Sequence, residues 1–293
     1  MRVTENAMTD KFLYSSQKIL AQKTKTQKQL ATNNKIDTLS DDLVGSLQSI
    51  KIHSQMLKTD NYIQNANSVT EFMTASLQSL DNINTELQKV MVLAVDADNP
   101  LNSGNFATMA QSVKDSLTAM VQSVNTKQRG MYLFSGTNFE GTPVSIDPVT
   151  GKAVISAEDF SGEIKTQLSQ TNSQALNIPG TKLMATGIFE SLNNIIDSFE
   201  AGTVPTQAQK DDLDNALKSL LNLQSLGGQT INRMDDVSEM LSNQKDSLNE
   251  AFVKIQAIDV PALTVDLNNQ DYLLQMSYKL LANTFPKSLF DYL

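Results

Sequence analysis

Helix breakers are spread so unevenly along this chain that they draw its map. Between positions 130 and 187 stand seven of its 12 glycines and three of its 7 prolines. On either side, apolar residues recur at spacings of three and four over stretches longer than an ordinary globular helix. The order of elements is therefore helices out, an insertion of β character, and helices back.

Upstream, Ala66, Val69, Met73, Leu77, Leu80, Ile83, Leu87, Val90 and Ala94 hold one face. With Leu43, Leu47, Ile50 and Leu57 ahead of them, one helix is predicted from about residue 43 to 95, roughly 80 Å long. Asp98-Asn99-Pro100 ends it, because proline cannot continue the ladder. A second helix follows through Phe106, Met109, Val113, Leu117, Met120 and Val124. Downstream, Ile188 to Phe199 and Leu213 to Leu226 read as two shorter helices. Ile231, Met234, Val237, Leu241, Leu248, Phe252, Ile255 and Ile258 then restore a long stripe. Pro261 interrupts it, and Ala262 opens a terminal helix.

Inside the insertion, Met131 to Phe134, Val144 to Ile146, Ala153 to Ile155 and Glu163 to Thr166 favour strands. Asp147-Pro148-Val149-Thr150-Gly151 reads as a hairpin turn between two of them. The expected fold is mainly α with a small β-rich insertion, a long antiparallel helical hairpin with its N- and C-terminal helices paired at one end. Five segments follow: 1–42, an N-terminal assembly helix and connector; 43–130, outgoing helices; 131–185, a β-rich tip; 186–260, returning helices; 261–293, a C-terminal assembly helix.

Both ends are amphipathic. Val260, Leu263, Leu267, Leu274, Tyr278, Leu281, Phe285 and Leu289 form one stripe, and Phe12, Leu13, Ile19, Leu20 and Leu30 form a thinner one. Each needs a partner, and the other terminus and neighbouring copies are the expected ones. Apart from Val260, these residues are the candidate assembly contacts.

Composition removes most chemistry. A net charge of −9 disfavours a nucleic-acid partner, although Arg2, Lys11, Lys18, Lys23, Lys25 and Lys28 make the N-terminal stretch locally basic. Without cysteine there are no disulfides, thiolate metal sites or thiol nucleophiles. The first twenty residues lack the apolar core of a cleavable signal peptide, and no stretch is apolar enough to span a membrane. His53 is the only histidine and sits in a helical stretch, against any triad or two-histidine zinc site. Asp211, Asp212 and Asp214 lack the glycine and glutamate of a calcium loop and suit a helix N-terminus. Asp41 and Asp42 could be a carboxylate pair, but a helix cap formed by Ser40 or Asp41 is the plainer reading. No catalytic, metal or cofactor site is expected.

Asn33-Asn34-Lys35-Ile36-Asp37-Thr38-Leu39-Ser40-Asp41-Asp42-Leu43 resembles the segment after the first helix in the bacterial flagellin superfamily. Lys35-Ile36 and Ser40-Asp41-Asp42 match its pattern; Asn34 replaces the usual glycine and Leu43 the usual proline. Met1-Arg2-Val3-Thr4 with Met8, Tyr132-Leu133-Phe134-Ser135-Gly136-Thr137, and the ending Ser288 to Leu293 resemble hook-associated proteins of the hook–filament junction (FlgL type). Gly228-Gln229-Thr230-Ile231-Asn232-Arg233-Met234 is similar to the family's return-helix start.

That resemblance implies a structural subunit, exported without a cleaved signal peptide and located outside the cell on the flagellum. Copies would form a ring joining the first hook-associated protein to flagellin, with an export chaperone on the C-terminal helix beforehand. Flagellin itself, the bulk filament subunit, is the close alternative. A secreted enzyme using Glu158-Asp159 and an unrelated coiled-coil scaffold are the others.

Overall fold

The computed structural model describes residues 2–284 apart from 103 and 139, with backbone alone for 2–6, 8, 9 and 281–284. Phe285, Leu289 and the ending Ser288 to Leu293 lie outside the described residues. The elements are α1 (Arg2–Thr32), α2 (Leu43–Asp96), a 3-10 turn (Pro100–Asn102), α3 (Phe106–Val124), β1 (Lys127–Gln128), β2 (Met131–Tyr132), β3 (Val144–Ile146), β4 (Ala153–Ile155), β5 (Lys165–Gln167), β6 (Ser173–Ala175), α4 (Gly180–Met184), α5 (Ile188–Glu200), α6 (Gln207–Gln256) and α7 (Val260–Thr284). The chain is mainly α with small antiparallel strand pairs, as the breaker pattern predicts. It folds as two compact units, a terminal one of residues 1–58 with 244–293 and a central one of residues 59–243.

In the central unit α2 buries Ala66, Val69, Met73, Ser76, Leu80, Ile83, Leu87, Val90 and Ala94. Their spacing alternates three and four without a break, the heptad signature of a helix packed along its length. Val113, Leu117, Met120 and Val124 of α3 close on it, and the hydroxyl of Ser79 donates to the Ser123 carbonyl at 2.6 Å. Leu192, Ile195, Ile196 and Phe199 of α5 complete the core with Leu213, Ala216 and Leu220 of α6. Phe106 and Phe199 stack at 5.9 Å between centroids.

The strands form three separate two-stranded pairs, β1 with β2, β3 with β4, and β5 with β6. Arg129 and Gly130 both take positive φ, 51° and 85°, so β1 and β2 turn through a primed two-residue hairpin. Asp147 to Gly151 make the expected turn, with Val144 opposite Ile155. Single asparagines stitch these short pairs to the helices. Asn193 of α5 gives Nδ2 to the Ala153 carbonyl and takes its N–H on Oδ1, at 2.9 and 3.0 Å. Asn65 of α2 donates to the Gln167 carbonyl at 2.7 Å. Strand β6 has no apolar alternation, which hides it from a sequence reading.

Two expectations need correction. The helices expected at 213–226 and from 231 onward are one helix, α6, running through Gly227-Gly228. Glycine costs about 1 kcal/mol inside a helix, but Gly227 is buried beside Leu77 and Met73, and close packing outweighs the propensity. Helix α7 starts at Val260 rather than Ala262. Asp259 caps it, accepting the Ala262 N–H at 3.0 Å, and Pro261 sits in the first turn where no N–H is needed.

Candidate assembly surfaces

In the terminal unit α1 and α7 run antiparallel. Gln270 donates through Nε2 to the Thr26 hydroxyl at 3.2 Å, and Lys23 pairs with Asp271. The seam uses Phe12, Ser16, Ile19, Lys23, Thr26 and Leu30 on α1 against Leu263, Leu267, Gln270, Leu274 and Ser277 on α7. Both sets alternate three and four, as in a two-helix coiled coil. Yet only Thr26 and Leu274 are fully buried, and half the seam is polar. Within this seam Ser16 Oγ and Gln270 Oε1 are buried without a hydrogen bond among the described residues. Each unpaired buried atom costs about 1–3 kcal/mol, so the pair closes weakly.

The connector from Asn33 to Asp42 is held by polar contacts. Lys35 donates its N–H to the Gln256 carbonyl at 2.8 Å, and Gln29 Nε2 reaches the Lys35 carbonyl at 2.6 Å. Lys28 pairs with Asp37, and Lys25 with Asp41 at 2.7 Å. The Lys25 ammonium, helped by the Thr38 and Asp37 N–H groups, holds the Asp41 carboxyl far below the usual carboxylate range. The cap of α2 is Asp42, whose Oδ1 takes the Gly45 N–H at 2.8 Å, in place of Ser40 or Asp41.

The candidate assembly residues divide between two environments. Phe12, Ile19, Leu30, Leu263 and Leu267 are half-buried and Leu274 buried in the seam, whereas Leu13, Leu20 and Tyr278 are exposed. Leu281 lies on helical backbone, its side chain outside the described residues. A second apolar face escaped the sequence reading. Val265, Tyr272 and Met276 lie on the side of α7 opposite Leu274, with Leu273 on the flank, all exposed. Two stripes on one helix blur each other's periodicity; the seven-residue step from Val265 to Tyr272 is the signal that could have shown it.

Helix α2 repeats the pattern. Leu43, Leu47, Ile50 and Leu57, expected to extend its packed stripe, are 53–60% exposed. The inward residues are Gly45, Ser49, Ile52 and Met56. Counting back in sevens from Ala66 gives Thr59, Ile52 and Gly45, so the packed phase continues and the larger leucines fall on the other side. Exposed contiguous apolar faces mark interaction surfaces.

Elsewhere among the described residues the polar side chains make ordinary structural contacts. Exposed His53 stands 6.3 Å from the Phe252 ring, centroid to centroid. Glu158 accepts from Asn138 while Asp159 turns to Ser161, whose hydroxyl and N–H hold its carboxyl below the usual range. Asp211 accepts from Gln207, and Asp214 pairs with Lys218 at 2.5 Å. Among the described residues no three His, Asp or Glu side chains converge as for a metal, and no helix is long and apolar enough to cross a membrane.

Residues 3–139 match the family model for the bacterial flagellin N-terminal helical region, and 211–293 that for the bacterial flagellin C-terminal helical region. A flagellin of Halalkalibacterium halodurans is 22% identical over 264 residues, covering 90% of this chain and 88% of that one. In fold, the chain is similar to flagellar hook-associated protein 3 of Legionella pneumophila, with a TM-score of 0.61 and 14% identity over 70% of this chain and 98% of that one. It is also similar to FlgL of Bacillus cereus, with a TM-score of 0.58 and 19% identity over 69% and 99%.

Proposed function

This chain belongs to the bacterial flagellin family, and on that premise we propose that it builds the junction ring between the first hook-associated protein and the flagellin filament. A structural role in the flagellum comes with the family. The observation that supports assembly is the pair of exposed apolar faces in the terminal unit, one on α7 and one on α2, in a chain of net charge −9. A lone soluble protein has no use for them. The weakly closed seam adds to this, because neighbours supply the burial that α1 and α7 do not give each other. Phe12, Leu13, Ile19, Leu20, Leu30, Leu263, Leu267, Leu274, Tyr278, Leu281, Phe285 and Leu289 contribute to that assembly, the seam members by holding the helices paired. Segments 1–42 and 261–293 act as the assembly helices and 131–185 as the outward insertion. Before assembly a cytosolic chaperone covers the C-terminal helix, and the chain leaves through the flagellar export route.

The junction role is favoured by the opening and closing motifs and by likeness in fold to hook-associated proteins. Flagellin is the second reading, favoured by the Halalkalibacterium relative. Immunogold electron microscopy with antibody to residues 140–180 separates them. One labelled band between hook and filament supports the junction ring; label along the whole filament makes the chain a filament subunit; no label on flagella overturns both.

A further inference from the structure

The side of α1 opposite its seam carries Lys11, Lys18 and Lys25, with Tyr14 72% exposed between the first two. Seven residues complete two turns, so the three ammonium groups share one face and span roughly 21 Å. Lys25 reaches Asp41, whereas Lys11 and Lys18 have no ion-pair partner among the described residues. Residues 1–58 hold nine basic against five acidic side chains in a chain of net charge −9, so the remainder is strongly acidic.

Helix α6 carries the complement. Asp235, Glu239 and Asp246 line one face, with Asp236 and Glu250 beside them, all exposed and unpaired among the described residues. Glu239 and Asp246 repeat the seven-residue step of the lysines, and Asp236 to Glu250 covers the same roughly 21 Å. We propose that the lysine face of α1 docks on the acidic face of α6 of a second copy of this chain. Such a contact joins two different surfaces, so a pair of copies keeps one of each free, and repetition builds a ring or a helical array. Opposite charges at matched spacing set register and partner choice more than affinity, a task that greasy faces perform poorly. This pairing rests on the reading of the chain as a self-assembling flagellar subunit.

The test measures how much full-length chain is incorporated into isolated flagella, by quantitative immunoblot, with helix content checked by circular dichroism. Lys11→Glu with Lys18→Glu is expected to lower incorporation roughly tenfold or more through like-charge contact. Adding Glu239→Lys and Asp246→Lys to the same chain is expected to restore most of it. Incorporation of the lysine variant at the wild-type level overturns the pairing and leaves the flagellar role intact, as does a fourfold variant no better than the twofold one. Loss of binding to phosphatidylserine vesicles in the lysine variant, with normal incorporation, assigns the face to a membrane and overturns it too. A wild-type chain absent from flagella removes the flagellar reading and this one together.

Discussion

Asp42 caps α2 by accepting the Gly45 N–H at 2.8 Å, while its neighbour Asp41 turns away to the N–H groups of Asp37 and Thr38. Asp42→Ala is expected to lower stability by about 1 kcal/mol, and Asp42→Asn by much less, since an amide oxygen caps almost as well. Denaturant unfolding of the purified chain reads the difference; equal losses in both variants would contradict the cap.

Asp41 gives a pH-dependent counterpart. Its folded carboxyl titrates below the unfolded value, so its contribution is present above about pH 3.9 and is lost as pH falls through the lower folded value. Asp41→Asn is expected to speed hydrogen exchange at the amides of Asp37 and Thr38 at pH 7. The gap between variant and wild type should shrink steadily below pH 4. A gap that persists into strong acid would assign the effect to shape rather than charge.

Two glycines should respond oppositely to one added methyl group. At Gly228, inside α6, a Cβ meets nothing within 4 Å, so Gly228→Ala is expected to stabilise by about 0.5–1 kcal/mol. At Gly180 a Cβ would stand 2.1 Å from the Phe134 carbonyl oxygen, and Gly180→Ala is expected to cost about 1–3 kcal/mol. Thermal melts of the two variants should move in opposite directions.

These sites show what the sequence does and does not carry. The packed phase of α2 is visible because large side chains at Leu80, Ile83, Leu87 and Val90 repeat it. It is invisible from Gly45 to Met56, where Gly45 and Ser49 face inward while Leu43, Leu47 and Ile50 draw the eye outward. Hydrophobicity marks which faces need cover and is silent on which partner covers them. The α1 seam suffers from the same gap, since Ser16, Lys23 and Thr26 lie along it and no apolar pattern points to them. The hairpins stitched by Asn65 and Asn193 depend on side chains meeting distant carbonyls, which no local spacing encodes.

The opposed faces of α7 predict separable defects. Leu274→Asp puts a charge in the seam and should part α1 from α7, seen as faster proteolysis within residues 1–32 of the free protein. Tyr272→Asp lies on the outer face and should leave that protection unchanged while lowering incorporation into flagella. Identical behaviour of the two variants would show that the helix does not use its two sides differently.

Helix α6 runs for 50 residues, roughly 75 Å of unbroken strut. Its weakest cross-section is Gly227-Gly228, where no side chains brace successive turns and paired small residues let helices kink. A sideways load on that strut concentrates its curvature there, against Leu77 and Met73, and spares the rest. The glycines thus give a stiff member one compliant joint, which takes up flexing elastically where a uniform rod would pass the stress to its ends.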